Sequence, residues 1–437
     1  MIGWTVGREG ATDYDARLGL ALDGVEDSRR VHFPPEFDRV IGYLDTSTGP
    51  HRPQILMSTV PYRGRAIHSK ALRLLVLADA NSIHTEHWVG GLADTGDVEL
   101  RLVTMNPAGV RPGLRELPAV RSIDEFYAGP VKASGGNWRY VLNVPKVMRA
   151  VRGIKPDAIV TIYLSSYGLM GAIAKGDAAL AHVVIGSDVM IAPGHAWLFD
   201  RLSRWTLSRG DLFVPASKAA TARLSSLANI PAEAILTQQY GLEEWVIGHP
   251  SLPKTYDFVS NRAWVPNSQI PMLIRIFARL RAPGSMALIG GGSPIEEEIL
   301  GLAADDPRVV PLGVLPHRQN VEVVACSAFY ISMTASDGAS LSLMEAMAVG
   351  AVPVVSDIEP NREWVEHGVN GVLVPLDDEA IAAARIESLF ARSDEELDEM
   401  RGRNQEIIRE RGSLTRNMAR FRERLDAVLA NRKAAPS

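Results

Sequence analysis

From Leu72 onward, short unbroken apolar runs alternate with stretches whose apolar residues recur every three or four positions. The runs LRLLVL (72–77), VELRLV (98–103), AIVTI (158–162), HVVI (182–185) and LFVPA (212–216) read as strands buried on both faces. Helical spacing fills the gaps around 84–93, where Trp88 and Leu92 share a face, and around 142–153, 165–175 and 198–209. The Pro- and Gly-containing stretch between the second run and residue 142 carries no clear period. This alternation predicts a parallel sheet covered by helices, with ligands at the C-terminal ends of its strands.

The pattern then repeats. GLEEWVIGHPSLPK (241–254), with Gly248 and two prolines, reads as a linker. Beyond it strands are predicted at YDFVS (256–260), MALIG (286–290), VVPLG (309–313), FYISM (329–333), VPVVS (352–356) and VLVP (372–375). The division is an N-terminal extension (1–71), a first Rossmann-like domain (72–240), the linker (241–254), a second Rossmann-like domain (255–412) and a C-terminal helix (413–437). The helix carries Met418, Phe421, Leu425 and Val428 on one stripe, to be buried on its own domain or back on the first. Residues 1–71, with Pro34, Pro35, Pro50 and Pro61, read as an irregular arm, a candidate contact for a homo-oligomer.

Composition narrows the function classes. A net charge of −5 argues against a broad nucleic-acid footprint and leaves local basic patches for a peripheral membrane contact. The lone Cys326 excludes an internal disulfide and sits in an apolar run, so it reads as core. No apolar run reaches the roughly 18 residues of a membrane span, and Arg8, Glu9 and Asp13 do not suit a signal peptide. The expected location is the cytoplasm, or the inner face of its membrane.

Chemistry concentrates in Ser336–Gly371. Asp337 and Glu345 stand eight apart around the turn Gly338-Ala339-Ser340, which opens into a helix with Leu341, Leu343, Met344, Met347 and Ala348 at helical spacing. Asp337 and Ser340 both suit the N-cap. A helix mouth offers backbone N–H groups and partial positive charge, a natural seat for a diphosphate. Glu345, a turn inside, suits the hydroxyls of a ribose, and Asp337 those of a sugar beyond the phosphates. The alternative is that Asp337 only caps and Glu345 is a solvated helix residue.

The stretch DGASLSLMEAMAVGAVPVVSDI…NREWV…GVNGVLVP resembles the E-x7-E region of the retaining GT-B enzymes of the "glycosyl transferases group 1" family, with Asp in place of the first acid in a DG-x-S form. The resemblance implies two Rossmann-like domains facing a cleft and transfer of a hexose from a nucleotide diphosphate sugar to a glycan, lipid-linked or small-molecule hydroxyl. It implies donor contacts from Asp337, Gly338, Ala339, Ser340, Leu341 and Glu345, and from the backbone of Val314 and Leu315 along the base. It also implies an arginine after the strand YDFVS, here Arg262, to neutralise the diphosphate. The family's lysine a few residues on falls at Ser268, so Arg262 acts alone or with Lys254, Arg275 or a metal; no metal is obviously required. DANSIHTEHWV is similar to the first βα loop of the family, which places Asn81 and Ser82 opposite the donor or as simple caps. His84 and His87 in the following helix read as packing or capping.

The histidine many family members carry before a Gly in the first domain is Ile185 here. Ser187 and Asp188, just beyond, are candidates for the acceptor, and Asp188 with Asp337 and Arg262 for catalysis. Gly290-Gly291-Gly292 lacks G-x-G-x-x-G spacing and is followed by Glu296, Glu297 and Glu298, which argues against a dinucleotide site. The missing Lys and His keep open an inactive partner subunit of the same fold; a nucleotide-sugar 2-epimerase is a further alternative.

Overall fold

The computed structural model describes residues 71–127, 138–185, 197–282, 284–337 and 340–434. The expectations for the N-terminal arm and for Ser187, Asp188, Gly338 and Ala339 lie outside these residues.

Among the described residues the strands form two six-stranded parallel sheets. The first holds β1 (Leu72–Leu77), β2 (Val98–Thr104), β3 (Val120–Glu125), β4 (Ala158–Ile162), β5 (Ala179–Val184) and β6 (Leu212–Pro215), in the order β3-β2-β1-β4-β5-β6. The second holds β7 (Tyr256–Ser260), β8 (Met286–Ile289), β9 (Val309–Gly313), β10 (Ser327–Ser332), β11 (Val352–Ser356) and β12 (Val372–Val374), in the order β12-β11-β10-β7-β8-β9. Read from its other end, the second order repeats the first. Both sheets reverse direction of winding between their first and fourth strands, which opens a crevice at β1/β4 and at β7/β10.

The helices used below are α1 (Ile83–Ala93), α2 (Val144–Ile154), α3 (Leu169–Ala174), α4 (Trp197–Ser208), α5 (Glu244–Ile247), α6 (His317–Ala325), α7 (Leu341–Ala348), α8 (Asp394–Arg411) and α9 (Leu414–Ala434). Most predicted elements fall within two or three residues of these bounds, and two readings are corrected. β3, VRSIDE, lies in the stretch given no element: it is a polar, half-buried edge strand and lacks the apolar run that marks the others. The helix read over 165–175 is two pieces, a π-turn over Leu164–Gly168 and then α3, after Tyr163 at φ 76°.

α9 packs on the first domain. Met418, Phe421, Leu425 and Leu429 are buried there, so the stripe drifts from Val428, which is half-buried, to Leu429. Phe421 meets Trp88 of α1 edge-on, ring centroids 5.3 Å apart. Gly91 of α1 permits the approach: a Cβ there would stand 2.5 Å from Met418 Cγ. Each large apolar side chain so buried contributes about 1.5–3 kcal/mol. Buried Asn417 donates to the carbonyls of Gln239 and Arg411, and Gln238 donates to the Asn417 carbonyl. A bridge joins Leu242 to Ser413 where the chain passes between domains, with Gly241 at φ 98° under the Gly412 carbonyl. Across the same junction the Glu363 carboxylate accepts from the Lys218 backbone N–H at 2.9 Å.

Candidate active site

Arg262 follows β7 and Asp337 follows β10, so the two flank the crevice of the second sheet. Arg262 Nη2 stands 3.0 Å from Asp337 Oδ2, with both side chains largely buried. The other arm of the guanidinium, Nη1, donates to Ser340 Oγ at 3.3 Å and Ser342 Oγ at 3.1 Å. Burial opposes the arginine charge, but Tyr330 and Asp337 outweigh it and hold the pKa above the ordinary value. Arg262 is thus a fixed fork over the mouth of α7.

Ser340 is the N-cap of α7: its hydroxyl accepts from the Leu343 N–H. The Asp337 carboxylate pairs with Arg262 at the same mouth. Glu345, one turn inside α7, is not a solvated helix residue. Its Oε1 accepts from His317 Nε2 at 2.7 Å, and its side chain is mostly buried. That hydrogen bond raises the His317 pKa above its ordinary value, against the opposing effect of burial. His317 begins α6 and meets Trp245 of α5 edge-on at 5.4 Å, while Arg318 stacks over the Trp245 ring at 4.7 Å. Val314 lies exposed just before, against the Gly291 turn. The Gly292 N–H of that turn donates to Glu296, so the first acid after the glycines folds back onto it.

The expected supporting cations are elsewhere. Arg275 pairs with Glu379 on the surface. Lys254 donates to the Ala325 carbonyl beside Cys326, where burial lowers its pKa to about 8. Ser268 is buried.

The first domain faces this arrangement with α1. Ser82 stands at its N-cap position without a side-chain cap bond, and Asn81 donates its backbone N–H to Asp79, which also binds the Asn106 amide. Neither Asn81 nor Ser82 is thus a side-chain cap. His84 and His87, read from sequence as packing or capping, both turn to the cleft around Tyr240. His84 Nδ1 lies 3.2 Å from the Tyr240 hydroxyl, and the His87 ring stacks on Tyr240 at 5.1 Å. Burial lowers both histidine pKa values. His87 adds to the effect on His84, while the charge of Asp337, from the other domain, opposes it; for His87 the opposing charges are Glu243, Glu86 and Glu345. Ile185 lines a small cavity with His84, Trp88 and Tyr240. Two histidines of the first domain thus approach the acids of the second domain. The only signal for them in the sequence is their three-residue spacing just after the loop that follows β1.

Residues 254–392 match the family model described as "Glycosyl transferases group 1", and residues 73–217 match "Glycosyl transferase 4-like". The solved structure of Anabaena HepE in complex with UDP superposes with a TM-score of 0.66 at 16% identity, over 82% of this chain and all of that one. The chain has the two-domain GT-B fold. In sequence, this GT-B chain is 33% identical over 81 residues to the GDP-mannose:cellobiosyl-diphosphopolyprenol alpha-mannosyltransferase of Komagataeibacter xylinus, 18% of this chain and 21% of that protein. It is 27% identical over 93 residues to the protein of the same name from Xanthomonas oryzae pv. oryzae, 21% of this chain and 24% of that one. The matches to these curated relatives therefore span about a quarter of their length or less. In the GT-B frame the Arg262–Asp337 pair and Glu345 lie on one wall of the interdomain cleft, and His84, His87 and Tyr240 on the other.

Proposed function

We propose that the protein is a retaining glycosyltransferase that moves a hexose from a nucleoside diphosphate sugar to a hydroxyl acceptor. The observation that carries the reading is the Arg262 fork, held by Asp337, Ser340 and Ser342 over the mouth of α7, with Glu345 one turn inside. A diphosphate at that mouth would meet a fixed guanidinium and the first N–H groups of a helix. The Glu345 carboxylate is placed to accept ribose hydroxyls, and Asp337 to orient both Arg262 and the sugar. The backbone of Val314 and Leu315 borders the base; Asn81 and Ser82 face the donor from the first domain. Ser187 and Asp188 are candidate acceptor contacts, with Asp188 a candidate in catalysis.

In the step proposed, the bond from the anomeric carbon to the diphosphate oxygen breaks and a bond to the acceptor oxygen forms on the same face. The acceptor proton passes to the departing diphosphate, whose charge Arg262 and the helix mouth stabilise. Closure of the domains excludes water. The curated relatives are named for GDP-mannose and a lipid-linked saccharide, and the solved neighbour holds UDP. A donor panel therefore includes both bases.

The test is release of nucleoside diphosphate from UDP-, GDP- and ADP-sugars, with the product anomer read by NMR. A donor at about 100 times its dissociation constant should add about 2.7 kcal/mol in thermal unfolding. An inverted anomer would remove the retaining mechanism. Absence of binding to any nucleotide sugar would favour a non-catalytic partner of the same fold.

A further inference from the structure

We propose that the outer helical face of the first domain, formed by Trp138–Asn143, α2, α3 and α4, docks on an anionic lipid bilayer. α3 packs between α2 and α4, so the three helices form one continuous layer on the sheet, with the Trp138–Asn143 turn leading into α2. The layer should hide its large apolar residues, yet Val141, Leu142, Ile173, Leu202 and Trp205 all stand exposed, Leu142 at 67% and Trp205 at 42%. These are five of the eleven large apolar side chains exposed among the described residues, gathered on one face. Leu202 and Trp205 are one turn apart on α4.

Charge identifies the occupant. Between Arg139 and Lys155 the chain has five basic residues and no acid, and between Arg201 and Arg209 three basic residues and no acid. Asp157 follows the first run, Asp177 follows α3 and Asp200 lies in the first turn of α4, so basic residues outnumber acids over this layer. This concentration occurs on a chain of net charge −5. Exposed Lys146, Arg149 and Arg152 alternate along α2 with its buried Val147 and Val151. An apolar patch ringed by Lys and Arg, with a Trp at its edge, suits the headgroup region of an anionic membrane, where each basic residue adds attraction and the aromatic ring sits at the interface. A protein partner of the same chain would meet like charge across the contact. Among the described residues no helix is long and apolar enough to cross a membrane, so the contact is peripheral.

Placement adds a consequence. In a parallel α/β layer the helices begin at the C-terminal edge of the sheet, the same edge from which α1 presents His84. Val141 and Leu142 precede α2, and Leu202 lies in the first half of α4. A bilayer on this face therefore lies next to the cleft, and a lipid-anchored ligand would reach the cleft without leaving the membrane. The proposal rests on this surface and does not depend on glycosyl transfer.

The experiment is co-sedimentation of the full chain with vesicles of phosphatidylglycerol and phosphatidylcholine, against pure phosphatidylcholine, at low and high salt. Binding should require the anionic lipid and fall with salt. The double variant Leu142→Ser/Trp205→Ala and the double variant Arg149→Ser/Arg152→Ser should each weaken it at least tenfold, about fivefold per charge removed. Unchanged thermal unfolding would show that both variants fold. No binding of the parent protein to anionic vesicles, or equal binding by the variants, overturns the proposal. So does sedimentation velocity showing a dimer that Leu142→Ser/Trp205→Ala dissolves, since the face would then be a self-interface.

Discussion

The two walls of the cleft come from sheets of the same strand order, yet they are built differently. The second-domain wall is local: Asp337, Ser340, Ser342 and Glu345 lie within nine consecutive positions, and Arg262 joins them from the neighbouring strand end. The first-domain wall is assembled from afar. His84 meets Tyr240 across 156 positions, and the segment holding Tyr240 is fixed in turn by Asn417 of the last helix. A site gathered on one helix mouth can be rigid by itself. A site gathered from both ends of a domain depends on everything that holds those ends together.

Arg262→Ala should give the largest effect and break the local wall. It leaves Asp337 without its counter-charge and removes the fork from the mouth of α7. Transfer should fall about 10²–10³-fold, the loss typical of a charge-stabilising donor. Arg262→Lys should recover little, because a single ammonium cannot span Asp337 and the two serines. Glu345→Ala should weaken nucleotide binding itself, read by calorimetry with the free nucleoside diphosphate. Retention of full transfer by both variants would move the active site elsewhere.

The contrast extends to what each sheet buries. β11 in the second sheet is apolar apart from its terminal Ser356, whereas β5 in the first carries fully buried His182, hydrogen-bonded to Thr161 at 2.8 Å. Burial lowers the His182 pKa from 6.5 to about 4. A histidine whose pKa is depressed on folding contributes its full stability above pH 6.5. That contribution erodes as pH falls and is lost below about 4, at a cost of roughly 3 kcal/mol. In urea unfolding, His182→Gln should show a shallower decline over that window. An identical pH slope in the variant would show that His182 does not titrate on unfolding.

Asn417→Ala tests the distant wall more directly. It leaves the carbonyls of Gln239 and Arg411 without their donor in a dry environment, which should cost about 2 kcal/mol. It should also loosen Tyr240 and hence His84 and His87, raising KM while leaving nucleotide binding at the second domain intact. A stability loss with unchanged KM would confine Asn417 to packing.

This difference explains what was legible in the sequence. The strands buried on both faces, such as LRLLVL and VPVVS, announce themselves as unbroken apolar runs, and both sheets could be read from them. VRSIDE could not, because an edge strand needs only one half-buried face. Likewise Asp337, Ser340 and Glu345 share one stretch whose spacing has meaning on a helix. The roles within it were less visible: Ser340 caps the helix, and Asp337 pairs with an arginine 75 positions away. His84 and His87 are three apart, but nothing in the sequence ties them to Tyr240, and His317 lies outside the motif whose Glu345 it holds.

His317 is where the two kinds of construction meet, and its expected effect is the smallest. Its imidazole ties Glu345 of the local wall to Trp245 in the segment between domains. Because the Glu345 hydrogen bond raises its pKa, the pair contributes fully below pH 6.5 and is lost as pH rises through the raised value. The imidazole is half exposed, so the effect on stability should be slight. Its effect on ligand affinity is sharper in form: nucleotide affinity should decline with rising pH across the His317 titration, as the charge that orients Glu345 disappears. His317→Gln keeps a hydrogen-bond donor and removes the titration, so its affinity should be flat over the same window. Calorimetric titrations with a nucleoside diphosphate from pH 6 to 9 would decide it. A parallel decline in the variant would mean that Glu345 is oriented by α7 alone and that the donor wall is wholly local.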